Sequence, residues 1–417
     1  MKILLVNQFF HPDESPTSVL LTDVARAAAE SGHAVTAICG RGTYLESEGG
    51  PPPAACVIRV GGLRFRRGSA FGKLLSYIRF FVGALFRGLA LGRQDVVVCL
   101  TTPPMLACVG LAIKAVRGSR LAIWEMDLYP EVAVDVGALA PHSAAARVLA
   151  AIQRAVRHRA DVVIALGECM RERLIASGVP PASIQVAHNW ADADLLAPIG
   201  TQPSGPLTVL YSGNLGRAHD TGTIFGAMMA LGEDRRVRFV FAGAGAGHRV
   251  LAAHCAEAGL ANVEFWAYCP RRELAACLAS ADIGLVTQSA PTLGSVVPSK
   301  IYSLMAAGRP ILYIGPRGAT PHRLIEDHGC GWSFSTEEAG AVTELLTRLA
   351  EDRQALAEAG RRARRALETH YERHSGTVRV LDAIVKAGAT LPALPTPEAR
   401  TAVSANGPLS ELSKGPA

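Results

Sequence analysis

The sequence contains no Cys-x-x-Cys pair and no paired cysteine and histidine spacing of the kind that holds zinc. Its nine cysteines are scattered over 417 residues, and their number is odd. A scattered, odd set is typical of reduced thiols in a bacterial-type cytosol and not of a disulfide framework. These absences argue against a structural zinc module and against a small secreted fold held together by disulfides.

Long apolar runs without charge are also missing. The most apolar stretch, "KLLSYIRFFVGALFRGLALG" (73–92), contains Arg79 and Arg87 and is therefore a poor membrane span. The opening "MKILLVNQFFHPDE" has only a short apolar run and no small-residue cleavage site, so we expect a first β-strand there and not a signal peptide. With 49% hydrophobic and 19% charged residues, the chain is long enough for two domains with separate cores.

Acidic residues are absent between Val57 and Gln94, whereas eight basic residues lie there, which more than accounts for the net charge of +6. No nucleic-acid-binding module accompanies this charge, so we expect no nucleic-acid partner. The mixture of aromatic, leucine and arginine residues is typical of a helix at a membrane surface. We predict that residues 64–93 contact an anionic inner-membrane surface; the alternative is a core helix edged by solvated arginines.

Short, β-branched apolar runs alternate with helix-length segments along most of the chain, which predicts parallel sheets covered on both faces. The pattern predicts an α/β protein with a first domain over 1–190, a linker over 191–206 and a second domain over 207–362. We expect the helical segment 363–386 to pack back on the first domain. The tail 387–417 is poor in large apolar residues, which is typical of disorder.

Ligands of such sheets bind beyond the carboxyl ends of the strands, so the loops after the strands carry the candidate residues. In "EMDLYPE" (125–131), Asp127 and Glu131 follow a predicted strand. A carboxylate at this place can orient or deprotonate an incoming hydroxyl group. The alternative is a loop aspartate that caps the next helix.

The second half has two glycine-rich loops after strands. "YSGNLGRAHD" (211–220) places Gly213 and Asn214 before Arg217, whose guanidinium can bind phosphate bidentately, although glycine also serves turn geometry alone. We interpret His219 as a helix-capping or surface residue. "FAGAGAGH" (241–248) suggests a dinucleotide site, but its third glycine is displaced from the G-x-G-x-x-G position, and a nicotinamide or flavin enzyme is disfavoured.

"VPSKIYSLMAAGRP" (297–310) predicts a short helix over about 299–307 with Ser299 at its N-cap and Gly308 at its C-cap. Lys300 beside the first turn suits an anion such as phosphate. The alternative is a capped helix with a solvated lysine.

Taken together, these stretches resemble a retaining glycosyltransferase of the GT-B fold, family 4, in the branch that builds bacterial surface polysaccharides. The resemblance covers roughly residues 1–385 in the family's order and rests on the following segments: "MKILLVNQFFHPDESPTS", "ESGHAVTAICG", "EMDLYPE", "LGECMRERLIASGVPPASIQVAHNWAD", "LYSGNLGRAHD", "ADIGLVT" and "VPSKIYSLMAAGRPILYIG".

The resemblance implies two Rossmann-like domains facing a central cleft, with a nucleotide-diphosphate sugar on the second and a saccharide or lipid-linked acceptor on the first. It implies a cytoplasmic enzyme bound at the inner face of the membrane. It also implies that no metal is needed, because basic side chains and helix N-termini can stabilise the leaving diphosphate. The predicted catalytic residues are Asp127, which the resemblance places in an acidic loop near the acceptor, and Glu131, which follows the same predicted strand. The implied donor-binding residues are Gly213, Asn214, Arg217, Gly243, Gly245, Ser295, Ser299 and Lys300. The implied residues of the acceptor loops are Ser15, Thr17 and Thr102.

The sequence departs from the family pattern at three positions. Ser295 and Ser303 replace two usual glutamates, and Asn214 replaces a usual arginine, so neither a ribose contact nor a catalytic glutamate is carried over. Two alternatives therefore stay open: a nucleotide-sugar epimerase on the same fold, and a non-catalytic protein that binds sugar nucleotides or membranes. The sugar, nucleotide, acceptor and linkage depend on pocket shape, not on these motifs.

Overall fold

The computed structural model describes residues 1–41, 51–61, 70–199 and 205–389, without the side chains of 70, 71 and 73. The first domain is built on a seven-stranded sheet in which every described strand pair is parallel. Its strands are β1 (Lys2–Val6), β2 (Ala34–Gly40), β3 (Cys56–Val60), β4 (Val96–Leu100), β5 (Arg120–Trp124), β6 (Val162–Ala165) and β7 (Ile184–Val186). Their order across the sheet is β3-β2-β1-β4-β5-β6-β7.

Helices cover both faces of this sheet because its central strands are apolar on both sides; all five residues of β4 are buried. The helices are α1 (Pro16–Glu30), α2 (Ala70–Ala90), α3 (Ala107–Arg117), α4 (Glu131–Asp135), α5 (Ala144–Arg159) and α6 (Glu168–Ala176). Two apolar cores result, one beneath α1 and one beneath α2 and α3.

The second domain has a six-stranded sheet, also parallel, in the order β10-β9-β8-β11-β12-β13. The strands are β8 (Leu207–Asn214), β9 (Val237–Ala244), β10 (Val263–Trp266), β11 (Ile283–Thr287), β12 (Ile311–Ile314) and β13 (Gly331–Phe334). The helices are α7 (Gly222–Ala230), α8 (Ala246–Glu257), α9 (Leu274–Ala279), α10 (Lys300–Ala306), α11 (Thr320–His328), α12 (Ala339–Glu351), α13 (Gln354–Ala366) and α14 (Arg373–Ala389). The prediction of two parallel-sheet α/β domains is confirmed.

The last helix leaves the second domain and packs on the first. On α14, Val380, Ile384 and Ala387 are buried in the core beneath α1. Gly376 lets the helix approach Trp190 closely, because a Cβ atom at this position would overlap the indole ring. The helix that ends at Ala366 still packs on β12 and β13, so the return to the first domain begins after the helical turn Leu367–Tyr371 and not at residue 363.

Three of the predicted segments are described only in part. The predicted linker is described except for residues 200–204, and the predicted tail lies outside the described residues from 390 onward. The basic cluster of Arg64, Arg66 and Arg67 lies outside them as well.

Candidate functional site

A cavity of about 600 Å³ lies between the two domains, at the carboxyl ends of both sheets. We call it the interdomain cavity. From the first domain and the linker, its wall includes Glu14, Pro16, Asp23, Asp127, Trp190 and Asp192. From the second domain it includes Gly213, Asn214, Arg217, His219, Ser299, Lys300 and Ser303. The topology thus brings together loops that are far apart in the sequence.

Lys300 is the most unusual cation in this wall. Its ammonium group donates a hydrogen bond to the Tyr211 hydroxyl at 2.5 Å and lies 3.9 Å from the centre of the Tyr211 ring. Within the described residues, no Asp or Glu side chain is within ion-pairing distance of it. Burial lowers the pKa of Lys300 to about 7. An unpaired ammonium group therefore borders the interdomain cavity, where an anionic ligand would neutralise it.

His219 lies half-buried in the cavity wall beside this lysine and does not cap a helix, so its interpretation as a capping residue is wrong. Its ring contacts the Thr287 carbonyl oxygen at 2.8 Å through Nδ1 and lies 3.4 Å from the Tyr211 hydroxyl through Nε2. Burial, followed by the charge of Lys300, lowers the pKa of His219 to about 3, so the ring is neutral. Asp220 instead accepts the Thr223 N–H at the start of α7.

The glycine-rich turns shape the second domain's wall. Gly213 lines the interdomain cavity, with a φ of 122°. Gly243 and Gly245 are not in the wall; a Cβ atom on either would overlap a carbonyl oxygen of the 213–215 turn. Their lack of a side chain lets the end of β9 and the residue after it pack closely against the end of β8, which positions Asn214 and Gly213.

Arg217 and Asn214 are exposed residues of the same wall. Within the described residues, the Arg217 guanidinium makes no ion pair. Lys300 and Arg217 thus give the second domain two cations that have no carboxylate partner. Both lie where a strand ends or a helix begins, as their place in the sequence suggested.

Asp127 borders the cavity from the first domain, just beyond β5. Its backbone N–H donates to Thr101 Oγ1 at 3.3 Å, and its backbone forms a β-bridge with Val296 of the second domain. Burial, and to a lesser extent the charge of Glu125, raises the pKa of Asp127 to about 6. This carboxylate is ionised near neutral pH yet basic enough to accept a proton.

Glu131 is held elsewhere. Its carboxylate pairs with the Arg157 guanidinium at 2.6 Å, and Arg157 also pairs with Glu125 at 2.8 Å. Arg157 is only 1% exposed, and none of the three residues is part of the cavity wall. The structure therefore brings Asp127 to the cavity and leaves Glu131 in a buried ion-pair network of the first domain.

Of the remaining predicted residues, some line the interdomain cavity and others do not. Ser299 lines the cavity and precedes α10, although its side chain makes no capping hydrogen bond. Ser295 is buried and donates to Asp135 of the first domain at 2.5 Å. Ser15, Thr17 and Thr102 are not in the wall, to which the loop before α1 contributes Glu14 and α1 itself contributes Pro16 and Asp23.

Two protein families match this chain. The family described as glycosyl transferase 4-like domain matches residues 17–190, and the family described as glycosyl transferases group 1 matches residues 194–366. The chain belongs to the family 4 glycosyltransferases. It is thus an enzyme that transfers sugars, with the GT-B fold of two Rossmann-like domains.

Two curated bacterial proteins and one solved structure illustrate what this glycosyltransferase is similar to. WbjE of Pseudomonas aeruginosa, named as a glycosyltransferase, is 27% identical over 268 residues, or 62% of this chain and 67% of WbjE. WcaI of Escherichia coli strain K12, named for colanic acid biosynthesis, is 24% identical over 333 residues, or 74% of this chain and 82% of WcaI. The crystal structure of Anabaena HepE with UDP-glucose has a TM-score of 0.67 and 16% identity, covering 94% of this chain and 100% of HepE.

Proposed function

We propose that the second domain binds a nucleoside-diphosphate sugar and that the first domain binds the acceptor, with transfer in the interdomain cavity. The observation that carries this proposal is the Lys300 ammonium group, which borders the cavity without a carboxylate partner in the described residues. A diphosphate leaving group needs cations that are already in place. Lys300 and Arg217 supply two of them, and the UDP-glucose complex of HepE supports a ligand of this class.

Asp127 is the proposed acceptor-side residue. The acceptor hydroxyl attacks the anomeric carbon, the bond from that carbon to the diphosphate oxygen breaks, and the hydroxyl proton passes to Asp127 or to the leaving phosphate. A carboxylate with a pKa of about 6 suits proton acceptance near neutral pH. We propose that the anomeric configuration is retained, as the family resemblance implies. Ser295 and Ser303 stand at the usual glutamate positions, so neither of these positions supplies a carboxylate.

We propose a saccharide acceptor carried by a lipid, in the synthesis of a surface polysaccharide. The name of WcaI supports this class of pathway. The outer face of α2 supports a membrane-bound acceptor. On α2, Phe80, Ala84 and Gly88 are buried against the first domain. The opposite face exposes Leu74, Ile78, Val82 and Phe86, which are 56%, 50%, 49% and 69% exposed and spaced four residues apart.

These four side chains form one ridge along the helix because residues four apart lie on the same face. Arg79 and Arg87 are exposed beside the ridge, and no acidic residue occurs between Val57 and Gln94. Among the described residues, no helix is long and apolar enough to cross a bilayer. Apolar anchors flanked by basic residues match an anionic lipid surface, which attracts each basic residue by about 1 kcal/mol. We therefore propose peripheral binding at the cytoplasmic face.

The donor assignment is tested with Lys300→Met and a panel of nucleoside-diphosphate sugars. A ligand that binds only the folded protein raises its melting temperature, so thermal shifts identify the donor. We expect Lys300→Met to weaken donor binding about 10- to 100-fold, as for loss of a charged hydrogen bond. Lys2→Met is the matched control, because Lys2 is exposed and outside the cavity. Equal donor affinity in wild type and Lys300→Met would refute the assignment.

A further inference from the structure

Tyr211 is a buried residue of the donor domain for which sequence motifs suggest no function. It is 1% exposed and lies on β8, in the middle of the sheet. Its ring stacks on Phe241 of β9 at 6.0 Å, and Phe241 stacks on Phe265 of β10 at 5.5 Å. The three rings occupy matching positions on adjacent strands. This cross-strand aromatic stack fixes the position of the Tyr211 ring.

The Tyr211 hydroxyl makes two short hydrogen bonds and a longer contact with His219 Nε2 at 3.4 Å. It donates its single hydrogen to the Asn214 carbonyl oxygen at 2.8 Å, so its oxygen is free to accept from Lys300. Burial holds the pKa of Tyr211 far above neutral pH, so the phenol stays protonated and uncharged. The hydroxyl thus joins the last residue of β8 to the ammonium group at the start of α10.

We propose that Tyr211 is a positioning residue of the donor site, which fixes the Lys300 ammonium group at the cavity wall so that a bound diphosphate supplies its missing counter-ion. This inference rests on the proposed function of Lys300. Tyr211 is not in the cavity wall and therefore acts through Lys300. An aromatic hydroxyl suits this task because it orients the ammonium group without neutralising its charge, as a carboxylate would.

The surroundings of Lys300 leave its charge available for a ligand. The titratable and charged groups of the shared cavity are Glu14, Asp23, Asp127, Asp192, Arg217, His219, Tyr268, Cys269 and Arg271, and Tyr211 lies behind the wall. Within the part of the chain that the structure describes, none of the four carboxylates is within ion-pairing distance of Lys300. Tyr211 and His219 are both neutral at neutral pH. Arg217 and Arg271 are cations and add to the attraction for phosphate.

Donor binding is then linked to proton uptake. The free Lys300 side chain loses its proton above a pH of about 7, whereas a bound diphosphate favours its charged form and raises its pKa. Above that pH, the complex therefore holds one more proton than the free protein and ligand. Below a pH of about 7, Lys300 is already charged, so donor binding takes up few protons. The linkage belongs to Lys300, and Tyr211 sets its strength because the hydroxyl stabilises the ammonium form.

Calorimetric titration of the full chain without acceptor measures this linkage. The probes are UDP-glucose, UDP-N-acetylglucosamine and GDP-mannose, whose diphosphate diesters exchange no protons near neutral pH. Binding heats in buffers of different ionisation enthalpy give the protons taken up. For wild type we expect close to one proton near pH 8 and much less near pH 6. For Tyr211→Phe, which keeps the ring stack, we expect about tenfold weaker binding and uptake that begins at lower pH.

Tyr371→Phe is the matched control, because it removes another buried hydroxyl whose described partner is His328, outside the cavity. Wild-type affinity and proton uptake in Tyr211→Phe, with weakened binding in Lys300→Met, would overturn the role of Tyr211 and leave the donor assignment intact. Binding of no donor by wild type, or unchanged binding in Lys300→Met, would overturn both. Should Tyr211→Phe fail to fold, absence of proton uptake by wild type near pH 8 still refutes the proposal.

Discussion

Ser295 of the second domain donates a hydrogen bond to Asp135 of the first, with 2.5 Å between Oγ and Oδ2. Asp135 also pairs with Arg173 at 2.7 Å, and Arg173 donates to the Leu293 carbonyl oxygen at 2.7 Å. The loop before α10 is therefore tied to α4 and α6 of the opposite domain. Because the same loop leads to Ser299 and Lys300, this contact sets where the donor wall stands relative to Asp127.

Ser295→Ala should lower stability and leave the donor wall intact. Loss of a hydrogen bond to a charged acceptor costs about 1.5–3 kcal/mol, which thermal unfolding detects. Since Ser295 is outside the cavity wall, we expect donor affinity to change less than about twofold. Ser303→Ala is the comparison, because Ser303 lines the cavity and should affect binding more than stability. A large loss of donor affinity in Ser295→Ala alone would instead place Ser295 in the binding site.

The sheet interiors were predictable because strands buried on both faces have continuous apolar sequences. Two strands with a weak apolar pattern are β3 and β13, which lie at the sheet edges. The β3 sequence CVIRV is mostly exposed and includes Arg59, and the β13 sequence GWSF is only half-buried. An edge strand pairs on one side only and needs fewer apolar residues, so its signal is weak.

Proximity to the interdomain cavity was predictable where a residue follows a strand, as for Asp127 and Arg217, or begins a helix, as for Lys300. The position of a side chain was not predictable where it is bound by a partner that is distant in the sequence. Glu131 is paired with Arg157, 26 residues away, and Ser295 is hydrogen-bonded to Asp135, 160 residues away. Tyr211 looks like an ordinary apolar strand residue, and only the contact with Lys300, 89 residues on, shows its role.

Salt should separate the contributions of the two donor-side cations. Arg217 is exposed, so its attraction to phosphate is screened, whereas the half-buried Lys300 is screened less. We expect Arg217→Ala to weaken donor binding about tenfold at low salt and only slightly near 1 M salt. The effect of Lys300→Met on donor binding should persist at both salt concentrations. Donor titrations at two salt concentrations measure this, and equal salt dependence of the two variants would contradict it.

The pH dependence of kcat/KM follows from Asp127 and Lys300. Asp127 must be ionised to accept a proton, so activity rises with pH through about 6. Lys300 must be protonated to bind diphosphate, so activity falls as pH rises through about 7. The expected profile is a bell with its maximum between these values. Lys300→Met should lose the alkaline limb, and a profile that is flat across this range in wild type would contradict both assignments.

Asp127→Asn should abolish most transfer while donor binding persists. The side chains are nearly isosteric, and loss of general-base assistance slows a reaction about 10²- to 10⁴-fold. Single-turnover rates at saturating donor measure the chemical step, and donor titration measures binding. The opposite result, with donor binding lost and turnover kept, would place Asp127 on the donor side.

Glu131→Gln tests whether this residue acts in catalysis or in stability. The amide keeps the shape but loses the charge that faces Arg157, and Arg157 retains Glu125. We expect about 1–3 kcal/mol lower stability and a turnover within about threefold of wild type. Arg157→Met should cost more, about 3–5 kcal/mol, because it leaves buried carboxylates unpaired. A stable Glu131→Gln variant with a hundredfold slower reaction would return Glu131 to the catalytic residues.

The ridge on α2 gives the last prediction, which concerns the membrane. Ile78→Ser/Phe86→Ser removes part of the exposed apolar ridge, and Arg79→Glu/Arg87→Glu reverses two exposed charges beside it. Wild type should sediment with anionic vesicles, less so at high salt and little with neutral vesicles, because basic residues draw it to the surface. The charge variant should lose the salt-sensitive part of binding, and the apolar variant the part that remains at high salt.

Val148→Ser/Ile152→Ser is the matched control for the apolar variant, because these residues of α5 are 57% and 42% exposed but lie on a different helix. It should bind vesicles as wild type does. Transfer to a water-soluble acceptor analogue should be unchanged in every variant, since α2 does not line the interdomain cavity. Transfer to a lipid-linked acceptor in vesicles should fall in step with binding. Equal sedimentation of wild type and both α2 variants would make the ridge an ordinary exposed face and remove the membrane from the proposed function.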